Sequence, residues 1–255
     1  MPREESFEAA RAAEAGFDRS ELWDILQITE SFRAKSDPAA TALLRELSRN
    51  RQMRFIGDGQ SVTIDGDQNR NAFAVVSGGL KVCKTLTDGR TQAVDFLLPG
   101  DFCWWPWVNP EPFSIEAFAS AEVCVMFHAS LAAIAQRNPD VWSALLRLAG
   151  QDLARAHDYA VMLGRKTAIE RVASFLLVLD RRQEQRGDRS NIVKLPMGRD
   201  DIADHLGLTV ETVSRQFTRL KSDDIIALPV PTLCRIVDRP ELERLAHFDE
   251  DQRAA

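Results

Sequence analysis

Apolar positions along the chain change their spacing twice. Over residues 1 to about 50 they recur at helical intervals: Leu22, Ile25 and Leu26, Phe32 further on, then Leu43, Leu44 and Leu47 around Asp37-Pro38. The first twenty residues, rich in Ala, Glu and Arg, predict a frayed or disordered start. From Gln52 to about Phe127 short β-prone runs take over, at Ser61-Val62-Thr63-Ile64, at Ala72-Phe73-Ala74-Val75-Val76 and at Leu80-Lys81-Val82-Cys83. Gly57-Asp58-Gly59, Asp65-Gly66-Asp67, Ser77-Gly78-Gly79, Asp88-Gly89 and Pro99-Gly100-Asp101 punctuate them. Many short strands separated by Asp-Gly turns predict a β-sandwich, jelly roll or barrel.

After Pro139 the helical period returns. Trp142, Leu146, Ala149, Leu153, Ala156, Ala160 and Leu163 are separated by 4, 3, 4, 3, 4 and 3 residues, a heptad seam three repeats long. A second stripe, Val141, Leu145 and Leu148, faces elsewhere and predicts packing on the β-domain. Two apolar faces suit the helix of a parallel dimer, and the alanines permit close approach. A buried helix inside a monomer is the plainer alternative. Gly164-Arg165-Lys166 reads as a hinge. Residues 167–179 predict an amphipathic helix with Ile169, Val172, Ala173, Leu176 and Leu177 inward, residues 183–191 a polar loop, and residues 192–195 a short strand. The boundaries that follow are an N-terminal helical extension over 1–48, a β-domain over 49–137, a dimerisation helix over 138–163 and a last domain over 164–255.

Within that last domain, residues 199–220 predict two short helices meeting at Gly207. Ile202, Ala203 and Leu206 form the apolar face of the first, Leu208 plugs the turn, and Thr209 is placed as an N-cap. Val213, Phe217 and Leu220 point inward from the second, while Val210, Glu211, Ser214, Arg215, Thr218 and Arg219 point outward. This is a helix-turn-helix pattern. The N-terminal residues of such a second helix meet base edges in the major groove of DNA. A glutamate can accept from cytosine N4 and an arginine can donate twice to guanine. Glu211 and Arg215, four apart, would sit side by side and read one C·G pair; in any other helix they would be an ordinary surface ion pair worth about 0.3–0.5 kcal/mol. Val210, Glu211, Ser214 and Arg215 are therefore the expected base readers, and Arg199, Thr209, Thr212, Arg219 and Lys221 the expected phosphate contacts.

Charge sharpens this division. The chain has 255 residues and a net charge of −6, which by itself argues against a nucleic-acid partner. From Arg165 onward, however, 16 basic residues balance 16 acidic ones, so the first 164 residues carry the whole deficit. The second part can approach a polyanion. The start is acidic and lacks an apolar stretch of the kind that directs export, and the longest apolar run, Phe175-Leu176-Leu177-Val178-Leu179, is too short to span a membrane. A cytoplasmic protein is expected. Cys83, Cys103, Cys124 and Cys234 are scattered and form no metal-binding pair, which suits a reducing compartment.

The motifs Leu86-Thr87-Asp88-Gly89-Arg90-Thr91-Gln92, Phe96-Leu97-Leu98-Pro99-Gly100-Asp101, residues 163–173 (LGRKTAIERVA) and Glu211-Thr212-Val213-Ser214-Arg215 resemble those of the CRP/FNR superfamily of transcription regulators, in details its FixK branch. The last is the most specific, because FNR-type readers carry Glu-x-x-Ser-Arg at the start of the recognition helix. The resemblance covers about residues 50–240. It implies an α+β protein: an N-terminal β jelly roll of the cyclic-nucleotide-binding type, a long dimerisation helix and a C-terminal winged helix-turn-helix. Residues 225–228 and 234–237 would be the wing strands. It further implies a homodimer on a palindrome of TTGAT-type half-sites, RNA polymerase as a partner, activation of transcription, and oxygen, redox, respiratory or nitrogen control.

The trigger departs from better-known relatives. From Phe102 to Glu122 there is no Arg or Lys to offset a cyclic phosphate, so no cyclic nucleotide is expected. No cysteine precedes Cys83, so an iron–sulfur cluster would lack its thiolates. Pro2, Met126, His128 and His157 are conceivable haem ligands, each with a plainer role in its strand or helix. No cofactor is expected. Cys103, Trp104, Trp105 and Trp107 form either a plug in a vestigial nucleotide pocket, a pocket for an apolar or planar effector, or a polymerase contact, and Cys103 is a conceivable redox switch. A ligand-gated regulator of the same fold remains an alternative. A cupin-like metalloenzyme is a distant one, since the chain has no His-x-His strand.

Overall fold

A computed structural model describes residues 52–62, 72–103, 113–126, 132–133, 136–137, 139–185 and 190–247. The predicted N-terminal helices, Trp104, Trp105, Trp107 and His128 lie outside the described residues.

The β-domain is an antiparallel sheet of β1 (Gln52–Ile56), β2 (Ala72–Thr85), β3 (Thr91–Leu97), β4 (Phe102–Cys103) and β5 (Phe113–Met126). The strand order is β1-β5-β2-β3, with β4 also on β2. Phe73, Val75, Leu80, Val82, Val123 and Val125 fill its core. The sequence predicts a break at Ser77-Gly78-Gly79, but β2 runs straight through it for 14 residues. The two glycines are there for close approach. Gly78 has φ +76°, and a Cβ on it would lie 2.0 Å from the Ser120 carbonyl oxygen. A Cβ on Gly79 would strike the Phe118 ring. The ladder between β2 and β5 shifts register here, so the glycines bend a continuous strand instead of ending it.

Helix α1 (Pro139–Arg165) follows. Of the second stripe Val141 and Leu145 are buried and Leu148 is half-buried, and Met162 joins the core near the other end. The heptad seam faces outward: Trp142 is 50% exposed, Leu146 57% and Leu153 58%. Ala156 and Ala160 are exposed with them, Ala149 is half-buried, and Leu163 packs on the chain's own core. The helix passes through Gly164, and the break falls at Lys166-Thr167.

Helix α2 (Ala168–Gln185) is longer than the apolar pattern predicts and absorbs the start of the expected polar loop. Its polar end has tertiary partners that periodicity does not report. The Gln183 amide donates to the Ile192 carbonyl at 2.8 Å and accepts from the Lys194 amide at 2.7 Å, acting as a strand partner. Arg182 donates to Asp95 at 2.9 Å and to the Phe96 carbonyl at 2.8 Å.

The last domain adds β6 (Ile192–Lys194), α3 (Arg199–Leu206), α4 (Val210–Ser222), β7 (Ile226–Val230), β8 (Leu233–Ile236) and α5 (Arg239–Ala246). Its strands form a separate sheet in the order β6-β8-β7. One core joins Val172, Leu176, Ile202, Leu206, Val213, Phe217 and Leu242, and it reaches across to Phe96 and Leu98 of the β-domain. Burying an aliphatic or aromatic side chain fully is worth about 1.5–3 kcal/mol, so this shared core ties the two regions together. Among the described residues no helix is long and apolar enough to cross a membrane.

Candidate nucleic-acid interface

The two helices of the predicted pair form where the pattern places them. Helix α3 ends at Gly207, whose left-handed backbone (φ 61°, ψ 41°) suits glycine and turns the chain. Leu208 packs on the core beneath the turn. Thr209 is the N-cap of α4: its hydroxyl accepts from the Thr212 amide at 3.2 Å. One face of α4 is buried through Val213, Phe217 and Leu220, and the core thereby fixes which face is left to solvent.

That outer face carries the predicted base readers. Val210, Glu211, Ser214 and Arg215 are all exposed in the first two turns. The Glu211 carboxyl is held below the usual range by its own backbone amide and by the Thr209 hydroxyl, so it stands ionised as a pure acceptor. Arg215 donates to the Thr212 hydroxyl at 3.3 Å and does not pair with Glu211. The two groups stay available to a ligand, and the surface ion pair that was the alternative does not form. Further along, Thr218 bonds back to the Ser214 carbonyl, and Arg219 lies 3.8 Å from Asp223. Of the expected phosphate contacts, Arg219 and Lys221 are exposed on α4, and Arg199 lies on α3, stacked on an inward-facing ring. Thr209 and Thr212 sit at the cap, and the Arg199 guanidinium lies 3.6 Å from the centroid of the Phe217 ring. Burial lowers the Arg199 pKa from its ordinary value, and stacking on the ring orients the group. The wing is close to the predicted ranges, with β7 and β8 joined through exposed Pro231 and Thr232.

In the β-domain, Cys103 is buried against β2, opposite Phe73. Burial pushes its thiol well above the ordinary value, which leaves it protonated and a poor nucleophile. All four cysteines are buried. Met126 ends β5 opposite Ala72, and His157 is exposed on α1. Among the described residues no three His, Cys, Asp or Glu side chains gather as metal ligands would.

Sequence reasoning missed a second polar group, at the far end of α3. Gln92, Tyr159, Arg171 and His205 meet there from four different elements. The one available signal was composition: Tyr159 is the only tyrosine in the chain.

Comparison with known proteins agrees with this geometry. Residues 170–245 match the family described as Crp-like helix-turn-helix domain, and residues 53–138 match the cyclic nucleotide-binding domain. The nitrogen fixation regulation protein FixK of Azorhizobium caulinodans is 41% identical over 182 residues, covering 71% of this chain and 73% of that protein. The transcriptional activator protein FnrL of Cereibacter sphaeroides is 33% identical over 224 residues, covering 86% and 88%. Among solved structures, FixK2 from Bradyrhizobium japonicum superposes with a TM-score of 0.67 at 31% identity, over 76% of this chain and 96% of that one.

Proposed function

The chain belongs to the CRP/FNR family of transcription regulators, in its FixK-like branch, and on that premise we propose that it binds a palindrome as a homodimer. It is a DNA-binding regulator and not an enzyme. The observation that carries the proposal is a pairing of two exposed faces: the reader face of α4 and the heptad seam of α1, which a single chain leaves uncovered.

Two copies joined along Trp142, Leu146, Ala149, Leu153, Ala156 and Ala160 would remove that apolar stripe from water, while Leu163, expected at the end of the seam, is already packed on its own chain's core. A two-fold axis along the seam would present two α4 helices to successive major grooves, about 34 Å apart. Each helix would read one TTGAT-type half-site. Glu211 accepts from cytosine, Arg215 donates to guanine, and Val210 and Ser214 lie against neighbouring bases. Arg199, Thr209, Thr212, Arg219 and Lys221 hold the sugar–phosphate backbone and contribute affinity without sequence preference. RNA polymerase is the expected partner of the bound dimer, in the cytoplasm. The names of the relatives favour activation of transcription and nitrogen-fixation control.

The β-domain serves this reading as a scaffold that needs no cyclic nucleotide, since the stretch from Phe102 to Glu122 lacks a basic side chain. The test is titration of purified protein onto a palindromic TTGAT duplex and a scrambled one, with no small molecule added. Tight binding confined to the palindrome supports the reading. Equal binding to both duplexes, or a requirement for an added effector, overturns it.

A further inference from the structure

The last four carbonyls of any α-helix have no partner inside it. In α3 the first of them, Ala203, accepts from the Leu208 amide at 3.0 Å. The other three accept from side chains outside the helix-turn-helix pair, the Asp204 carbonyl in addition to a 3.4 Å contact from the Gly207 amide. The Asp204 carbonyl accepts from the Gln92 amide of β3. The His205 carbonyl lies 2.7 Å from the Tyr159 hydroxyl of α1 and 3.1 Å from the same Gln92 nitrogen. The Leu206 carbonyl accepts from Arg171 of α2 at 2.8 Å. Arg171 also donates to the Leu163 and Lys166 carbonyls, at 2.8 and 2.9 Å, at the end of α1. One guanidinium thus binds the C-terminal ends of the seam helix and of the first helix of the DNA-binding pair.

We propose that Arg171 and Tyr159 are positioning residues that fix the angle between the seam helix and the recognition helix, and thereby select the spacing between half-sites. The proposal rests on the dimer-and-palindrome reading above. Only Gly207, Leu208 and Thr209 separate the held end of α3 from the first residue of α4. A rotation at this joint therefore carries the reader face with it. In a dimer both reader faces must meet their half-sites at once, so a stiff joint favours one spacing and a loose joint tolerates several. The planar fork of arginine can satisfy three carbonyls in fixed directions, which a lysine ammonium does not reproduce.

The experiment measures binding of the full chain to three palindromic duplexes, whose half-sites are at the preferred spacing or one base pair nearer or farther. A duplex with a single half-site serves as reference. Wild type is expected to prefer one spacing by tenfold or more. Arg171→Ala is expected to reduce that ratio to about threefold or less, while discrimination between intact and mutated single half-sites stays as in wild type. Tyr159→Phe removes one oxygen, is expected to lower the spacing ratio by about two- to threefold, and serves if Arg171→Ala does not fold. If the variants bind every duplex more weakly by one common factor, or keep the wild-type ratio, the joint does not set spacing and the inference is overturned. If wild type itself has no spacing preference, the palindrome reading is what fails.

Discussion

The Tyr159 and His205 rings lie stacked, with centroids 4.8 Å apart and planes within 21°. His205 Nδ1 is 3.0 Å from the Ala93 carbonyl, so that nitrogen carries the proton of the neutral ring. Tyr159 comes from the seam helix, Ala93 from the sheet and His205 from the DNA-binding pair. The Phe96 ring of the β-domain lies tilted against His205, with centroids 5.1 Å apart.

This stack makes stability depend on pH. Burial holds His205 at about 4, against 6.5 for a free histidine; Asp95 on β3 and the Ala93 carbonyl act to raise it, and Arg182 on α2 to lower it further. Burial pushes the stacked Tyr159 phenol up to about 12, so it stays protonated throughout this range. Between pH 6.5 and about 4 the unfolded chain binds a proton that the native one does not, so stability falls as the pH drops through this window and is unaffected above it. A shift of this size is worth at most about 3 kcal/mol, and the partial exposure of the residue reduces it. Asp95, held below its ordinary value despite its burial because Arg182 faces it, acts mainly below this window. Urea unfolding at pH 7 and pH 5 should show a smaller difference for His205→Gln than for wild type. An equal difference would assign the acid sensitivity to other groups.

Arg215→Ala should weaken binding to the specific palindrome by about 1–3 kcal/mol and relax the preference at one base pair. Anisotropy titrations on matched duplexes resolve this. If affinity for scrambled DNA falls by the same factor, Arg215 contacts phosphate and does not read a base.

Replacing both Ala149 and Ala156 with Glu puts four like charges across the proposed seam. The dimer should dissociate while the fold of each chain persists, because Ala156 is exposed and Ala149 only half-buried in the single chain. Sedimentation velocity would show the mass halved, and an unchanged mass places the contact elsewhere.

Gly78→Ala should cost about 1–3 kcal/mol, since the substitution combines φ +76° with a clash against the backbone of β5. Gly89 is a built-in control. It also has a positive φ but nothing within 4 Å, so Gly89→Ala should cost less. Thermal melts of the pair measure the difference, and equal losses would mean that backbone strain alone decides both.

Much of the recognition unit was legible before any coordinates. The inward triplet Val213, Phe217 and Leu220, the cap at Thr209 and the turn at Gly207 all follow from spacing and local chemistry, and each recurs in the structure. The outward seam of α1 was legible too, because heptad spacing marks a face whatever covers it. Less visible were the unbroken course of β2 through Ser77-Gly78-Gly79 and the extension of α2 to Gln185. There a turn-forming dipeptide and a polar run were overridden by neighbours from elsewhere in the chain.

The sequence by itself determined which residues lie on which face of the recognition helix, and so placed Glu211, Ser214 and Arg215 together in solvent. Periodicity is a local property and needs only the geometry of one helix. Tertiary structure alone decided how that helix is held. Gln92 and His205 meet across 113 residues, and Arg171 and Leu206 across 35. A hydrogen bond between a side chain and a distant carbonyl leaves no periodic trace in either segment, because each polar residue there looks like any other surface position until the chain folds.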